Sequence, residues 1–125
     1  MLLSIGIDTV TVSDVERFLG RPNYVNTIFT DEENRLAREY NDTLDFYARR
    51  FAGKQAVKKA LDHFVDVSNF DYHDVEILDT SEGIMYVRMA KNLKAALEER
   101  NVGDFLISVT SEGDLATAIV MAQSL

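Results

Sequence analysis

The segment from Thr43 to His63 holds the longest helical pattern of this 125-residue sequence. A helix of that length spans roughly 30 Å, about the width of a small domain, so it constrains how every other element can be arranged. Its apolar residues recur at the spacing of one helix face, as the following positions illustrate: Leu44, Tyr47, Phe51, Val57, Leu61 and Phe64. The pattern therefore predicts one long helix near residues 43–63.

Shorter elements are predicted before this helix. Residues 3–12, "LSIGIDTVTV", are rich in β-branched residues and roughly alternating, which is typical of a strand. "SDVE" and "TDEE" each have the spacing of a capping box, Ser13 with Glu16 and Thr30 with Glu33, and each predicts the start of a short helix.

The second half of the sequence changes to the period of strands. "DVEIL" and "IMYVRM" flank the turn-rich "DTSEG" and predict a hairpin. "KNLKAALEERNVG" predicts an amphipathic helix ending at Gly103. "FLISVTS" and "LATAIVMA" predict a last hairpin around "EGD", although "LATAIVMAQ" also fits a helix. Helices mixed with antiparallel strands indicate the α+β class.

The composition narrows the class of protein. The sequence has no cysteine, which excludes disulfides, thiolate catalysis and cysteine-ligated zinc. Its length suits a single domain, which we assign to residues 1–125. No apolar run approaches the roughly 20 residues of a membrane helix, and the N-terminal "MLLSIGIDTVTV" fits a strand better than a signal peptide. We therefore expect a cytoplasmic protein with no membrane partner.

The distribution of charge indicates an anion site. The net charge is -8, from 13 basic and 21 acidic residues, which argues against a nucleic-acid-binding protein. Five basic residues nevertheless lie together in the long helical pattern with no acid among them: Arg49, Arg50, Lys54, Lys58 and Lys59. A positive patch on a negative protein is a candidate site for an anionic ligand.

Lys54 and Lys58 lie on one stripe of that helix, four residues apart. Like charges at this spacing repel each other slightly. Either both side chains run along a half-buried stripe and extend their ammonium groups to solvent, or an anion lies between them. The spacing leaves both interpretations open.

Asp8 interrupts the apolar first strand shortly after Gly6. A buried carboxylate is costly unless it is paired, hydrogen-bonded or bound to a metal. Asp8 is either a strand-end aspartate bonded to backbone amides or an oxygen ligand of Mg²⁺, an ion that takes one or two carboxylates and completes its shell with water and phosphate oxygens. With the two lysines, the second interpretation gives a pyrophosphate site.

Three motifs are similar to those of a known family. "GIDTV", "FTDEE" and above all "RRFAGKQAVKKAL" resemble the holo-acyl-carrier-protein synthases, the short class of 4'-phosphopantetheinyl transferases. That family has G-x-D-x-V in its strand and F-A-x-K-E-A-x-x-K-A in its long helix. "EGI" at 82–84 and "ISVTSEGDLATAIV" match later landmarks more loosely, and the resemblance covers nearly the whole chain. It implies an α+β phosphopantetheinyl transferase-like fold, usually a homotrimer with coenzyme A bound between subunits.

The resemblance also implies a reaction and the residues that carry it. The 4'-phosphopantetheine group would pass from coenzyme A to a serine of an acyl carrier protein, with Mg²⁺ on the pyrophosphate and adenosine 3',5'-bisphosphate as the second product. By position, Asp8 and Gln55 would be metal ligands and, together with Lys58, catalytic residues.

The binding residues follow by the same resemblance. Coenzyme A would contact four side chains, Lys54, Lys58, Arg50 and Ser111. An acidic acyl carrier protein would dock near Arg17 and Arg21.

Three positions depart from the family pattern. Gln55 stands where the family has the glutamate that is its second metal carboxylate, and Ser111 stands where the family has a histidine after its serine. Asp14 stands near the first helix, where the family usually places an arginine that docks the carrier. Two functions stay open: a weak or specialised transferase, and a non-catalytic homologue that binds coenzyme A or a carrier protein as a scaffold.

Overall fold

The computed structural model describes all 125 residues as a mixture of helices and antiparallel strands, which confirms the predicted α+β class. A 3₁₀ turn at Tyr72–Asp74 precedes the second strand. No helix has the length and apolarity needed to cross a membrane. In chain order the elements are β1 (Leu2–Thr11), α1 (Val12–Leu19), α2 (Tyr24–Ile28), α3 (Asp31–Ala37), α4 (Thr43–Leu61), β2 (Val75–Asp79), β3 (Met85–Met89), α5 (Lys91–Glu98), β4 (Val102–Glu112) and β5 (Leu115–Ser124).

The strands form two antiparallel sheets. One has the order β1-β5-β4, and the other is the hairpin of β2 and β3. In the larger sheet Asp8 lies opposite Ala118, which in turn lies opposite Val109. The segment that also fits a helix is therefore the central strand, β5, because both neighbours complete its hydrogen bonds.

The long helix α4 packs on the inner face of the larger sheet through small residues on both sides. At Gly6 the approach is so close that an added methyl group would lie 1.9 Å from the backbone oxygen of Ala56. Two residues earlier, the hydroxyl of Ser4 donates to the backbone carbonyl of Ala60 at 3.1 Å. Since alternate residues of a strand share a face, this contact places Asp8 beside the C-terminal half of α4.

The helix ends agree with the sequence patterns only in part. The predicted capping box of Thr30 and Glu33 is present at the start of α3. The predicted box at Ser13 is wrong, because Thr11 caps α1 by accepting from the N–H of Asp14. The hydroxyl of Ser13 instead donates to Asp114 at 2.8 Å and ties α1 to the turn between β4 and β5.

The end of α5 also differs from the prediction. The helix ends at Glu98, and Gly103 lies within β4 instead of capping the helix. Asn101, with a φ of 62°, takes the left-handed conformation that reverses the chain between them. Asparagine tolerates this conformation better than most residues do.

Candidate active site

Asp8 marks the point where β1 passes the C-terminal half of α4. Its Oδ1 accepts a hydrogen bond from Lys59 Nζ at 2.8 Å, and the same ammonium donates to the backbone carbonyl of Ile7 at 3.0 Å. The Asp8 side chain is 17% exposed and that of Lys59 is 58% exposed. The second carboxylate oxygen of Asp8 has no partner within the chain, so it is available to a ligand.

Gln55 lies on α4 one turn before Lys59, and its amide is held by a tyrosine that the sequence analysis did not select. The hydroxyl of Tyr72 donates to Gln55 Oε1 at 2.6 Å. Burial raises the pKa of Tyr72, and the negative charges of Tyr24 and Asp8 raise it further. The sequence between α4 and Tyr72 has no motif that predicts a functional role for this tyrosine.

Lys58 completes this group as a half-buried cation. Its Nζ lies 5.9 Å from the ring centroids of Phe70 and Tyr72. The side chain of Lys58 makes no hydrogen bond or ion pair, whereas the side chains of the other four basic residues of the helix do. The structure thus places Gln55 and Lys58 against Tyr72, and Asp8 against Lys59 on the same end of α4, as a group that could hold an anion.

Lys54, for which a phosphate contact was expected, is instead buried and bonded within the chain. Its Nζ lies 2.7 Å from Glu33 Oε1 and donates to the backbone carbonyls of Tyr72 and Val75 at 2.8 and 2.7 Å. Both side chains of the ion pair are 0% exposed. Burial lowers the pKa of Lys54, and the Glu33 carboxylate partly offsets that effect. All three N–H donors of the ammonium are occupied, so none is free for a ligand.

Arg50 is also buried and is not available to coenzyme A. It is 1% exposed, its Nε donates to the backbone carbonyl of Ile77 at 3.3 Å, and its Nη2 donates to Asp79 at 2.7 Å. The guanidinium carbon lies 4.2 Å from the ring centroid of Phe46. These contacts assign Arg50 to the attachment of β2 to α4.

The neighbouring Arg49, which the sequence analysis did not select, is the arginine that lies beside Ser111. Its Nη1 donates to Ser111 Oγ at 3.3 Å and its Nη2 donates to the backbone carbonyl of Val109 at 3.2 Å. Arg49 precedes Lys59 by ten residues, roughly 15 Å along the helix. Ser111 lies on β4, two strands from Asp8, because Val109 pairs with Ala118 and Ala118 pairs with Asp8.

The donor atoms around Asp8 suit a metal that arrives with ligands of its own. Nowhere does the structure contain three or more His, Cys, Asp or Glu side chains grouped to hold a metal. The Oε1 of Gln55 accepts the Tyr72 hydroxyl, and the carboxylate of this group is that of Asp8, which has one open oxygen. Because Mg²⁺ is often bound by one or two carboxylates plus substrate phosphates, this donor set fits that ion with a pyrophosphate.

The two arginines expected at a carrier protein differ in their surroundings. Arg17 on α1 is 77% exposed, and its guanidinium is paired with Asp14. Arg21, just after α1, is exposed and its side chain has no partner in the chain. Asp14 therefore neutralises one of the two charges.

Comparisons with known proteins identify the family. The family model of the 4'-phosphopantetheinyl transferase superfamily matches residues 4–120. The holo-acyl-carrier-protein synthase of Alkaliphilus oremlandii is 32% identical over 123 residues, 98% of this chain and 99% of that protein. The corresponding synthase of Salinispora arenicola is 34% identical over 125 residues, again 98% and 99% of the two chains.

The fold agrees with this relationship. The crystal structure of the holo-acyl-carrier-protein synthase of Neisseria meningitidis superimposes with a TM-score of 0.88, covers 99% of this chain and 100% of its own, and is 24% identical. The match of the family model over nearly the whole sequence, together with relatives above 30% identity along their full length, shows that the chain belongs to the 4'-phosphopantetheinyl transferase superfamily.

Proposed function

We propose that this protein transfers the 4'-phosphopantetheine group of coenzyme A to a serine of an acyl carrier protein. Two observations carry the proposal: the ammonium of Lys58 has no partner, and the next residue of α4, Lys59, bonds to Asp8, whose second carboxylate oxygen is open. A cation and a hard carboxylate together suit a pyrophosphate with its metal. The names of the relatives, holo-acyl-carrier-protein synthases at 32 and 34% identity, support the substrate class.

The chemistry needs positioning and charge neutralisation more than a covalent nucleophile. The carrier serine attacks the phosphorus nearer the pantetheine, a new P–O bond forms, and the bond to the adenosine 3',5'-bisphosphate breaks. Lys58 neutralises part of the phosphate charge, and Asp8 would hold Mg²⁺, which supplies further neutralisation when bound. Gln55 has no basicity, so the proton of the serine passes to solvent.

We further propose that copies of this chain associate through the outer face of the larger sheet, as a closed trimer. That face exposes apolar side chains that are 37–52% accessible: Ile5, Ile7, Leu106, Ile119 and Met121. An apolar patch of this kind marks an interaction surface.

The oligomer is tested with Ile119→Glu, which places a charge in the centre of that face. We expect light scattering after size exclusion to give the mass of three chains for the wild type and of one chain for the variant. A monomeric wild type would contradict the trimer.

The carrier protein is proposed to dock at α1, where Arg21 offers an uncompensated positive charge to an acidic partner. Charges at the rim of an interface act mainly on the association rate. Arg21→Glu should therefore slow association several-fold at low salt, and Arg38→Glu, at an exposed site after α3, is the matched control. If both variants slow association equally in stopped-flow binding, the carrier protein does not dock at Arg21.

The transferase is tested by intact mass spectrometry of an apo acyl carrier protein incubated with this protein, coenzyme A and Mg²⁺. Gln55→Glu, which restores the carboxylate of the family pattern, is assayed beside the wild type. A phosphopantetheine adduct from the wild type establishes the transferase. An adduct from Gln55→Glu alone identifies a disarmed homologue that still binds both substrates, and no adduct from either rejects the transferase for the carriers used.

A further inference from the structure

The amide of Gln55 has a defined orientation. Its Oε1 accepts the hydroxyl hydrogen of Tyr72 at 2.6 Å, a short and well-formed bond. The amide nitrogen, Nε2, has no partner within the chain, and it is not buried, since the structure has no buried side-chain nitrogen or oxygen without a partner. The two N–H donors of Gln55 are therefore free and accessible to a ligand.

Tyr72 is itself held from three directions. Its backbone carbonyl accepts from the buried ammonium of Lys54 at 2.8 Å. Its ring contacts Phe70 edge-on at 5.0 Å between centroids and Phe51 at 6.1 Å. With the backbone and the ring both fixed, the hydroxyl can act as a rigid stop for the Gln55 amide.

From this geometry we propose that Tyr72 is a positioning residue that directs the Nε2 of Gln55 to the pyrophosphate of coenzyme A. Gln55 then recognises a phosphate oxygen as an N–H donor and is not a metal ligand. The proposal rests on the proposed function, because it names a contact of the same site. Asp8 remains the single carboxylate for the metal.

A difference in metal dependence follows. A neutral N–H donor attracts a phosphate oxygen without any cation, whereas a glutamate at the same position would repel the phosphate until a metal lay between them. In EDTA the wild type should therefore lose less affinity for coenzyme A than Gln55→Glu does, because only the Asp8 carboxylate then faces the phosphates. Gln55→Glu should bind tenfold or more weakly in EDTA and recover when Mg²⁺ is added.

The positioning role is tested by isothermal titration of coenzyme A in EDTA with Tyr72→Phe and a matched control, Tyr47→Phe. Tyr47 is also half-buried, and its hydroxyl also donates to an amide oxygen, that of Asn34 at 2.8 Å. Tyr72→Phe should weaken binding about three- to tenfold, the usual effect of one hydrogen bond. Tyr47→Phe should leave binding unchanged, and thermal unfolding of both free variants measures any general loss of structure.

The possible results separate the two levels of the proposal. Wild-type protein that does not bind coenzyme A overturns the proposed function and this inference with it. Binding that Tyr72→Phe and Tyr47→Phe weaken equally overturns only the positioning role. If coenzyme A binding by the wild type depends on Mg²⁺ as strongly as binding by Gln55→Glu does, Gln55 is not an N–H donor to the phosphate. It would then be a metal ligand.

Discussion

Lys54 and Lys58 are separated by one turn of α4, and their surroundings are opposite. Lys54 lies in a fully buried ion pair with Glu33 and uses its remaining donors on two backbone carbonyls. Lys58 has no charged partner and lies near two aromatic rings at the edge of a group open to solvent. The same residue type therefore stabilises the fold at one position and is free for a ligand at the next.

The carboxylates show the same contrast. Glu33 accepts from Lys54 and from the backbone N–H groups of Thr30 and Ile77, so both of its oxygens are occupied. Asp8 bonds only to Lys59 through one oxygen. A saturated charge has no bonding capacity left for a substrate, so the degree of saturation distinguishes charges that hold the fold from charges that can still accept a ligand.

The largest expected effect comes from breaking the buried pair. Lys54→Met should lower the free energy of unfolding by about 3–5 kcal/mol, because it leaves a buried carboxylate and two carbonyls without their partner. Lys59→Met, which breaks the exposed pair with Asp8, should cost less than about 1 kcal/mol. Urea denaturation followed by circular dichroism measures both, and equal losses would remove the distinction between the two regions.

Asp8→Asn addresses the open region. Loss of the free carboxylate should reduce the initial rate of carrier modification roughly 100-fold, because the metal would no longer be held at the pyrophosphate. The free energy of unfolding should change by less than about 1 kcal/mol, since Asp8 bonds only to a mobile surface lysine. A variant that keeps the wild-type rate would show that the phosphates bind elsewhere.

Gly6→Ala tests the close packing of β1 on α4. The added methyl group would lie 1.9 Å from the backbone oxygen of Ala56, so β1 and α4 must separate. We expect a loss of about 2–3 kcal/mol in the free energy of unfolding. Gly20→Ala is the control, because its methyl group would have no neighbour nearer than 3.5 Å; similar stabilities of the two variants would contradict the close contact.

The smallest effect is a pH dependence that the two regions should share. Burial raises the pKa of Tyr47 and of Tyr72 above the ordinary value of 10.0. As the pH rises past 10, the unfolded chain loses these protons first, so the folded state loses stability. Tyr47→Phe and Tyr72→Phe should each reduce the loss of unfolding free energy between pH 9 and 11, measured by urea denaturation. A steeper loss in either variant would contradict a raised pKa of that tyrosine in the folded state.

Much of the fold could be predicted because it follows from local periodicity. The long helix, the first strand and the hairpin of β2 and β3 all lie within a few residues of their predicted limits. The box at Ser13 was wrong because Asp114, distant in sequence, competes for that hydroxyl. A contact across 101 residues leaves no trace in a four-residue motif.

In the candidate site, Asp8, Gln55 and Lys58 could be selected because they lie in the family motifs, and their roles stay predictions. The buried bonds of Lys54 and Arg50 could not be predicted, because helical spacing does not specify which side of α4 the hairpin of β2 and β3 covers. Tyr72 could not be selected either. It reaches Gln55 only because the irregular segment after α4 returns to that helix.

The bonds from Lys54 to the backbone of Tyr72 and Val75 affect how the chain can tolerate changes of length. They fasten the end of the irregular segment 62–71 directly to the helix that the segment leaves. Residues inserted between these two anchored points would form a longer loop at the surface, and loop closure becomes only slightly costlier as a loop grows. The segment can thus vary in length while Tyr72 keeps its place against Gln55.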